Sequence, residues 1–271
     1  MYEQFYSLKE NPFNITSDPD FYFSSSRHAE AISHLEFGIQ ERKGIVLMTG
    51  EIGTGKTTLC RTLLNRLDKT VKTALILNPS FSELQLLRFI IKDFGLEIKA
   101  RNKFDIINAL NEFLIREASF GNNVVLIIDE AQNLRPKQLE QVRLLSNLET
   151  EKQKLLQVIL VGQPELLVKL RDPSLRQLNQ RISVRYHILP LDRTDIQNYI
   201  DHRLKIAQNG QTPNPSVHFT EEAISTLYEL SNGIPRMLNI LCDRALLAGF
   251  SAETFTIDER MLRKCFEEVT A

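Results

Sequence analysis

The sequence predicts an α/β fold: a five-stranded parallel sheet flanked by helices, with a helical lid at the C-terminal end. Three observations carry this expectation. Short β-rich apolar runs alternate with helical patterns from Gly44 to Leu191. The runs lack strict polar alternation, as strands buried on both faces of a parallel sheet should. After Pro190 the strands stop and helical patterns alone continue. The division this predicts is an N-terminal arm and helix over 1–43, an α/β core over 44–191 and a lid over 192–271.

The elements follow in order. Gly44–Thr49 is the first strand candidate, and a helix over Lys56–Leu67 carries Leu59, Leu63, Leu64 and Leu67 on one stripe. Thr73–Leu77 is the second strand. Ser82-Glu-Leu-Gln85 reads as a capping box opening a helix that Gly95 closes. Phe104–Ala118 is amphipathic at helical spacing. Val124–Ile128, Leu156–Val161 and Ser183–Ile188 complete the strand set. In the lid, Thr194-Asp-Ile-Gln197 reads as a capping box for a helix reaching Ala207. A loop over Gln208–Ser216 follows from Gly210, Pro213 and Pro215. Phe219–Leu230, Pro235–Phe250 and Ile257–Val269 are three further helices, the last capped from Thr256-Ile-Asp-Glu259.

The connection between the first strand and its helix holds the chemistry. Gly50-Glu51-Ile52-Gly53-Thr54-Gly55-Lys56-Thr57-Thr58 is a Gly-x-x-x-x-Gly-Lys-Thr loop in the strand–loop–helix context a phosphate-binding loop requires. Its glycines let the backbone turn tightly and direct N–H groups at phosphate oxygens. Lys56 supplies charge to the β- and γ-phosphates, and the Thr57 hydroxyl is placed to hold Mg²⁺. About seventy residues on, Val124–Ile128 ends in Asp129-Glu130. An apolar strand ending in two acids delivers one carboxylate, Asp129, to the metal and the other, Glu130, to the attacking water. The ligands expected are therefore ATP and Mg²⁺, and the reaction Mg-dependent hydrolysis.

Further polar residues fall at strand C-termini, where open parallel sheets bind ligands. Asn78 is placed to hold Glu130 in a non-productive rotamer, and Gln163 to bond the γ-phosphate or the water; a turn or cap role competes for each. Arg176, Arg181 and Arg185 lie before and within the fifth strand. Arg181 first, and Arg176 second, suits a finger reaching a neighbouring subunit's phosphoryl group, against a solvated helix face. Gly233-Ile-Pro-Arg236 opens a lid helix with Pro235 in its first turn. Arg236 would project toward the nucleotide and sense its γ-phosphate.

Composition narrows the class. The chain has 271 residues, 42% hydrophobic and 25% charged, with a net charge of −1. That is an ordinary soluble composition and makes no global electrostatic case for nucleic acid or membrane. Cys60, Cys242 and Cys265 are odd in number and lack Cys-x-x-Cys spacing, which predicts buried thiols in a reducing cytoplasm. The N-terminus has no basic region followed by an apolar core, so no signal peptide is expected. The longest clean apolar run, Val124–Ile128, is too short to span a bilayer.

In this order the motifs resemble those of the AAA+ ATPases: Walker A at Gly50–Thr57, Walker B at Val124–Glu130, sensor 1 at Gln163 and sensor 2 at Gly-Ile-Pro-Arg236. The chain is similar in detail to the general secretion pathway protein A (ExeA) group, of which the pilus-biogenesis ATPase MshM is a short relative. The signatures are Phe-Tyr-Ser-Leu-Lys-Glu-Asn-Pro-Phe13, Ser-Asp-Pro-Asp-Phe21, His28-Ala-Glu-Ala31, Asp-Glu-Ala-Gln-Asn-Leu134 and Gly-Gln-Pro-Glu-Leu166. The likeness runs over essentially the whole chain. It implies that Asn11, Pro12 and Phe13 contact base or ribose, with simple packing of an arm as the alternative, and that His28 packs or caps. Gln163 departs from the asparagine common at sensor 1. The longest members add a transmembrane segment and a periplasmic peptidoglycan-binding domain. This chain ends after the lid, so it is expected to be a short member or a fragment, and direct peptidoglycan binding is not expected of it.

The resemblance implies an ATP-driven assembly factor for a type II secretion system or a related pilus. It would work as a homo-oligomer with an arginine acting in trans, cytoplasmic, and recruited to the inner membrane by a membrane-protein partner. The alternative is a DNA-dependent ATPase of the transposition-helper type. That reading wants a basic stripe, for which Arg171–Arg185 and scattered lid arginines are the candidates. A nucleotide-gated scaffold without hydrolysis is disfavoured by intact Thr57, Asp129 and Glu130.

Overall fold

Each of the five expected strands forms, in a single parallel sheet: β1 (Ile45–Gly50), β2 (Val71–Ile76), β3 (Asn123–Ile128), β4 (Gln157–Gly162) and β5 (Ile182–Ile188). Their order is β2-β3-β4-β1-β5. The computed structural model describes residues 1–97, 102–151, 153–208 and 216–270; the expected loop residues Gly210, Pro213 and Pro215 lie outside these. Position in the sheet explains the hydropathy pattern. The inner strands β1 and β4 are buried along their whole length, and β3 at every residue but its first. The edge strand β5 is buried mainly at alternate residues, Ile182, Val184 and Ile188.

The chain forms two compact units. One comprises Ala29–Ile52 and Leu59–Ile188 and contains the sheet. The register between β1 and β4 runs from Ile45 opposite Val158 to Thr49 opposite Gly162. Gly50, Asp129 and Gln163 therefore lie at the same C-terminal edge. The helix Glu83–Asp93 opens on the expected capping box: Ser82 Oγ accepts from the Gln85 N–H, and Gln85 Oε1 accepts from the Ser82 N–H. It ends on Gly95 at φ +77°, whose N–H reaches the Lys92 carbonyl. Leu86, Leu87, Ile90 and Ile91 on that helix, and Ile106, Leu110 and Leu114 on Lys103–Ser119, pack into the core beneath the strands.

The other unit comprises Met1–His28, Gly53–Thr58 and Leu189–Ala271. Its helices Asp195–Ala207, Glu221–Ser231, Pro235–Ser251 and Glu259–Thr270 bury Ile196, Ile200, Leu238, Leu241, Leu246 and Leu262 together with Tyr6 and Phe13 from the N-terminal arm. Two expected caps differ. Thr194 has helical backbone angles and makes no side-chain cap, so the box at Thr194–Gln197 does not form. Thr256 instead belongs to a two-residue parallel pair, His218–Phe219 with Thr256–Ile257, and Asp258 Oδ1 caps the last helix by accepting from the Met261 N–H at 2.8 Å. Buried Arg203 ties the arm down. Its guanidinium donates to the carbonyls of Pro12 (2.5 Å) and Asn14 (3.0 Å) and to the Tyr199 hydroxyl (3.2 Å), and lies 4.9 Å from the Phe21 ring centre. Cys60, Cys242 and Cys265 are all buried. Among the described residues no helix is long and apolar enough to cross a membrane.

Candidate functional site

The C-terminal edge of the sheet gathers acids and amides. Asp129, buried at 1% exposure, continues β3: its N–H donates to the Ile76 carbonyl at 2.8 Å. Its carboxylate accepts the Glu130 N–H at 2.8 Å. Glu130 then turns left-handed, at φ +52°, into the short helix Ala131–Asn133. A non-glycine residue there is uncommon and costs of order 1–3 kcal/mol, a strain that clusters at functional sites. The Glu130 Oε2 accepts from Gln163 Nε2 at 3.1 Å and from Gln132 Nε2.

Asn78 does not hold Glu130 here. It is exposed, and its Oδ1 accepts from the Ser80 hydroxyl at 2.9 Å, which is the competing turn role. The amides on Glu130 come instead from Gln163, which was expected near the phosphate, and from Gln132, to which sequence reasoning gave no role. The signal for Gln132 was its place in the Asp-Glu-Ala-Gln-Asn-Leu134 signature, two positions after the acid pair.

The phosphate loop begins at Gly50, the last residue of β1, and ends in the helix Lys56–Arg66. Glu51 and Ile52 are exposed, Thr54 and Lys56 buried, Thr57 and Thr58 half-buried. Gly53 (φ +82°) and Gly55 (φ +89°) are left-handed, the backbone geometry an anion nest needs. A side chain at Gly53 would put its Cβ 2.6 Å from Arg236 Cβ. Arg236 N–H donates to the Gly53 carbonyl at 3.2 Å, while the Arg236 side chain is exposed. Pro235 is the first residue of that helix, as expected.

His28 buttresses the loop. Its Nε2 lies 3.0 Å from the Thr54 carbonyl and its Nδ1 2.7 Å from Ser25 Oγ. A carbonyl only accepts, so Nε2 carries the proton and Nδ1 accepts from Ser25, a neutral imidazole. Burial pushes its pKa below the ordinary histidine value, against smaller opposing effects of the Thr54 carbonyl and Asp195. This is the packing role expected of it.

Asn11, Pro12 and Phe13 take the packing alternative. Asn11 Nδ2 donates to Asp243 at 2.9 Å and its Oδ1 accepts from the Phe13 N–H at 2.7 Å. Pro12 offers its carbonyl to Arg203, and Phe13 is 1% exposed in the core. A cavity bordered by Gly55 and Thr58 is walled instead by Phe21, Phe23, Leu191, Tyr199 and Pro235.

Arg181 sits just before β5, whose first residue pairs with Ile45 at the start of β1. That is the edge opposite Gly50, about 17 Å away along six strand residues. Arg176 and Arg181 are both exposed, whereas Arg185 donates to the Asn179 carbonyl (2.7 Å) and side chain (2.8 Å).

Comparison with known proteins agrees with this geometry. A family model described as an AAA domain matches residues 39–170. General secretion pathway protein A of Aeromonas hydrophila is 48% identical over 255 residues, covering 93% of this chain and 45% of that protein. The chain thus spans under half the length of that curated relative. Cdc6p from Pyrobaculum aerophilum superposes with a TM-score of 0.67 at 18% identity, over 92% of this chain and 70% of that one. ORC2 from Aeropyrum pernix, in ADPNP–ADP complexes, gives 0.63 at 18% identity over 89% and 66%. A RuvB mutant from Thermotoga maritima gives 0.58 at 17% identity over 90% and 69%. At such identities these structures speak to the fold alone, and the fold is that of the AAA+ class of P-loop proteins. Within that class, the chain belongs to the general secretion pathway protein A (ExeA) family.

Proposed function

We propose that this chain binds and hydrolyses ATP as an AAA+ assembly factor for a bacterial envelope secretion system, type II-like or a related pilus. The observation that carries the reading is the coincidence of a complete phosphate loop and Asp129-Glu130 pair with 48% identity to general secretion pathway protein A.

The residues fit the ligands. Left-handed Gly53 and Gly55 provide a phosphate nest. Lys56 balances charge on the β- and γ-phosphates. The hard oxygen donors of Thr57 and Asp129 suit Mg²⁺, which when bound neutralises charge on the transferring phosphoryl group. Glu130 orients and deprotonates the attacking water. Arg236, exposed at the start of its helix, reads the γ-phosphate and reports it to the helix it begins. Arg181 lies at the edge of the sheet away from its own Gly50, so it acts in trans, on the nucleotide of a second copy. Work on the envelope machine is delivered through a membrane-protein partner that recruits the cytoplasmic oligomer to the inner membrane.

The test is ATP turnover per subunit against protein concentration, with and without double-stranded DNA. Turnover that rises with concentration and ignores DNA supports an oligomeric envelope factor. Strong, salt-sensitive stimulation by DNA replaces that reading with the transposition-helper one.

A further inference from the structure

Gln132 joins Glu130 to the end of β4 through both ends of its amide, one bond donated and one accepted. Its Oε1 accepts the Gln163 main-chain N–H at 3.1 Å. Its Nε2 donates to Glu130 Oε2, the same oxygen that receives Gln163 Nε2 at 3.1 Å. The network fixes the amide's orientation, because a flip would set N–H against N–H and oxygen against carboxylate. Gln132 is itself held from behind. Lys169 Nζ donates to its main-chain carbonyl and to that of Leu134 at 2.8 Å. Gly162 leaves room for the side chain, since a Cβ there would lie 2.9 Å from Gln132 Oε1.

We propose that Gln132 is a positioning residue for Glu130, locking the carboxylate into the one orientation that serves the attacking water. The proposal rests on the reading of Glu130 as the residue that activates that water. The arrangement has the asymmetry this needs. Both amide donors converge on Oε2, and among the described residues Oε1 has no hydrogen-bond partner. A water donates its proton only to an oxygen left open. The left-handed backbone at Glu130 aims the side chain, and the two amides remove its remaining rotational freedom. Gln163 has a main-chain bond and a side-chain bond in this ring, so Gln132 also sets where Gln163 can reach. The second residue after the acid pair thereby acts on the reaction without touching nucleotide.

Gln132→Glu is the decisive variant. It is nearly isosteric and keeps the acceptor for the Gln163 N–H, but replaces the donor to Glu130 by an oxygen. Steady-state kcat and KM for ATP, equilibrium affinity for a fluorescent ATP analogue, and melting temperature are measured on the full chain, beside Gln132→Ala and Glu130→Gln. We expect Gln132→Glu to lose tenfold or more in kcat, with KM and analogue affinity within about twofold of wild type. Gln132→Ala should match it wherever that variant folds. Turnover of Gln132→Glu near or above wild type, or a fall in kcat matched by an equal loss of analogue affinity, overturns the proposal. Wild-type turnover by Glu130→Gln would instead remove the role of Glu130 itself, so the two failures are told apart.

Discussion

The main-chain N–H of Arg236 donates to the carbonyl of Gly53, 3.2 Å away, so the first turn of a lid helix is bonded directly to the backbone of the phosphate loop. The bond exists because Gly53 has no side chain. Its φ of +82° costs an L-residue about 1–2 kcal/mol, and a methyl group would meet Arg236 Cβ at 2.6 Å and Ile234 Cγ2 at 3.1 Å. Gly53→Ala should therefore cost about 2–4 kcal/mol of stability, strain and overpacking together. It should also separate helix from loop. Nucleotide at a hundred times its Kd stabilises a native protein by about 2.7 kcal/mol. Thermal melts with and without ATP analogue should show that increment in wild type and a much smaller one in the variant.

Glu130→Gln tests the chemistry at the sheet edge. The amide keeps the size of the carboxylate and loses the proton acceptor, so the variant should bind ATP as wild type does. Its turnover should fall by about 10²–10⁴, the usual worth of a positioned general base. Radiolabelled ATP retained on a filter and phosphate released over time report the two halves separately. Hydrolysis at the wild-type rate would assign the water to another residue.

Arg181 and Lys56 give a test of action in trans. Arg181→Ala should keep nucleotide affinity and lose about 10³ in turnover, as removal of an arginine finger does. Lys56→Ala should lose nucleotide binding while leaving its Arg181 intact. Mixed together, the two variants should recover part of the activity, because an intact site of one copy meets an intact finger of the other. An unchanged rate in Arg181→Ala removes it as the finger, and Arg176, also exposed, is then the next variant to make.

How far these residues could be read from sequence depended on the kind of information each carries. The strands were legible because β1, β3 and β4 are buried on both faces, and continuous apolar runs report that directly. The phosphate loop and Asp129-Glu130 were legible because their spacing is local. The cap on Asp258 was misplaced onto Thr256 because the short pairing of Thr256 with His218 lies 38 residues apart in sequence and leaves no periodic trace. The amides on Glu130 leave no trace for the same reason: Gln132 and Gln163 meet across 31 positions, while Asn78 takes the turn role, one of its two readings. For Asn11, Pro12 and Phe13 the sequence leaves base contact and packing of the arm equally open, and the buried Arg203 uses that stretch to fasten the arm. Side-chain networks of this sort depend on which polar groups are left over after packing, and a single sequence does not order them.

The neutral imidazole of His28 makes stability depend on pH in a direction that can be worked out. Burial holds its pKa below the unfolded value of 6.5, so below about pH 6.5 the unfolded chain takes up a proton that the folded one resists. Protons bound preferentially by the unfolded state lower stability. The contribution is thus complete above pH 6.5 and is lost as pH falls below it, until the folded imidazole also protonates. His202 is shifted the same way, chiefly by burial, so the two share the effect. His28→Gln should lose about 1 kcal/mol at neutral pH with the bond to the Thr54 carbonyl. It should also flatten the dependence, so that melting temperature falls less between about pH 8 and about pH 5.5 than in wild type. A variant with the wild-type slope would place the proton on another group, His202 first, and leave His28 as packing alone.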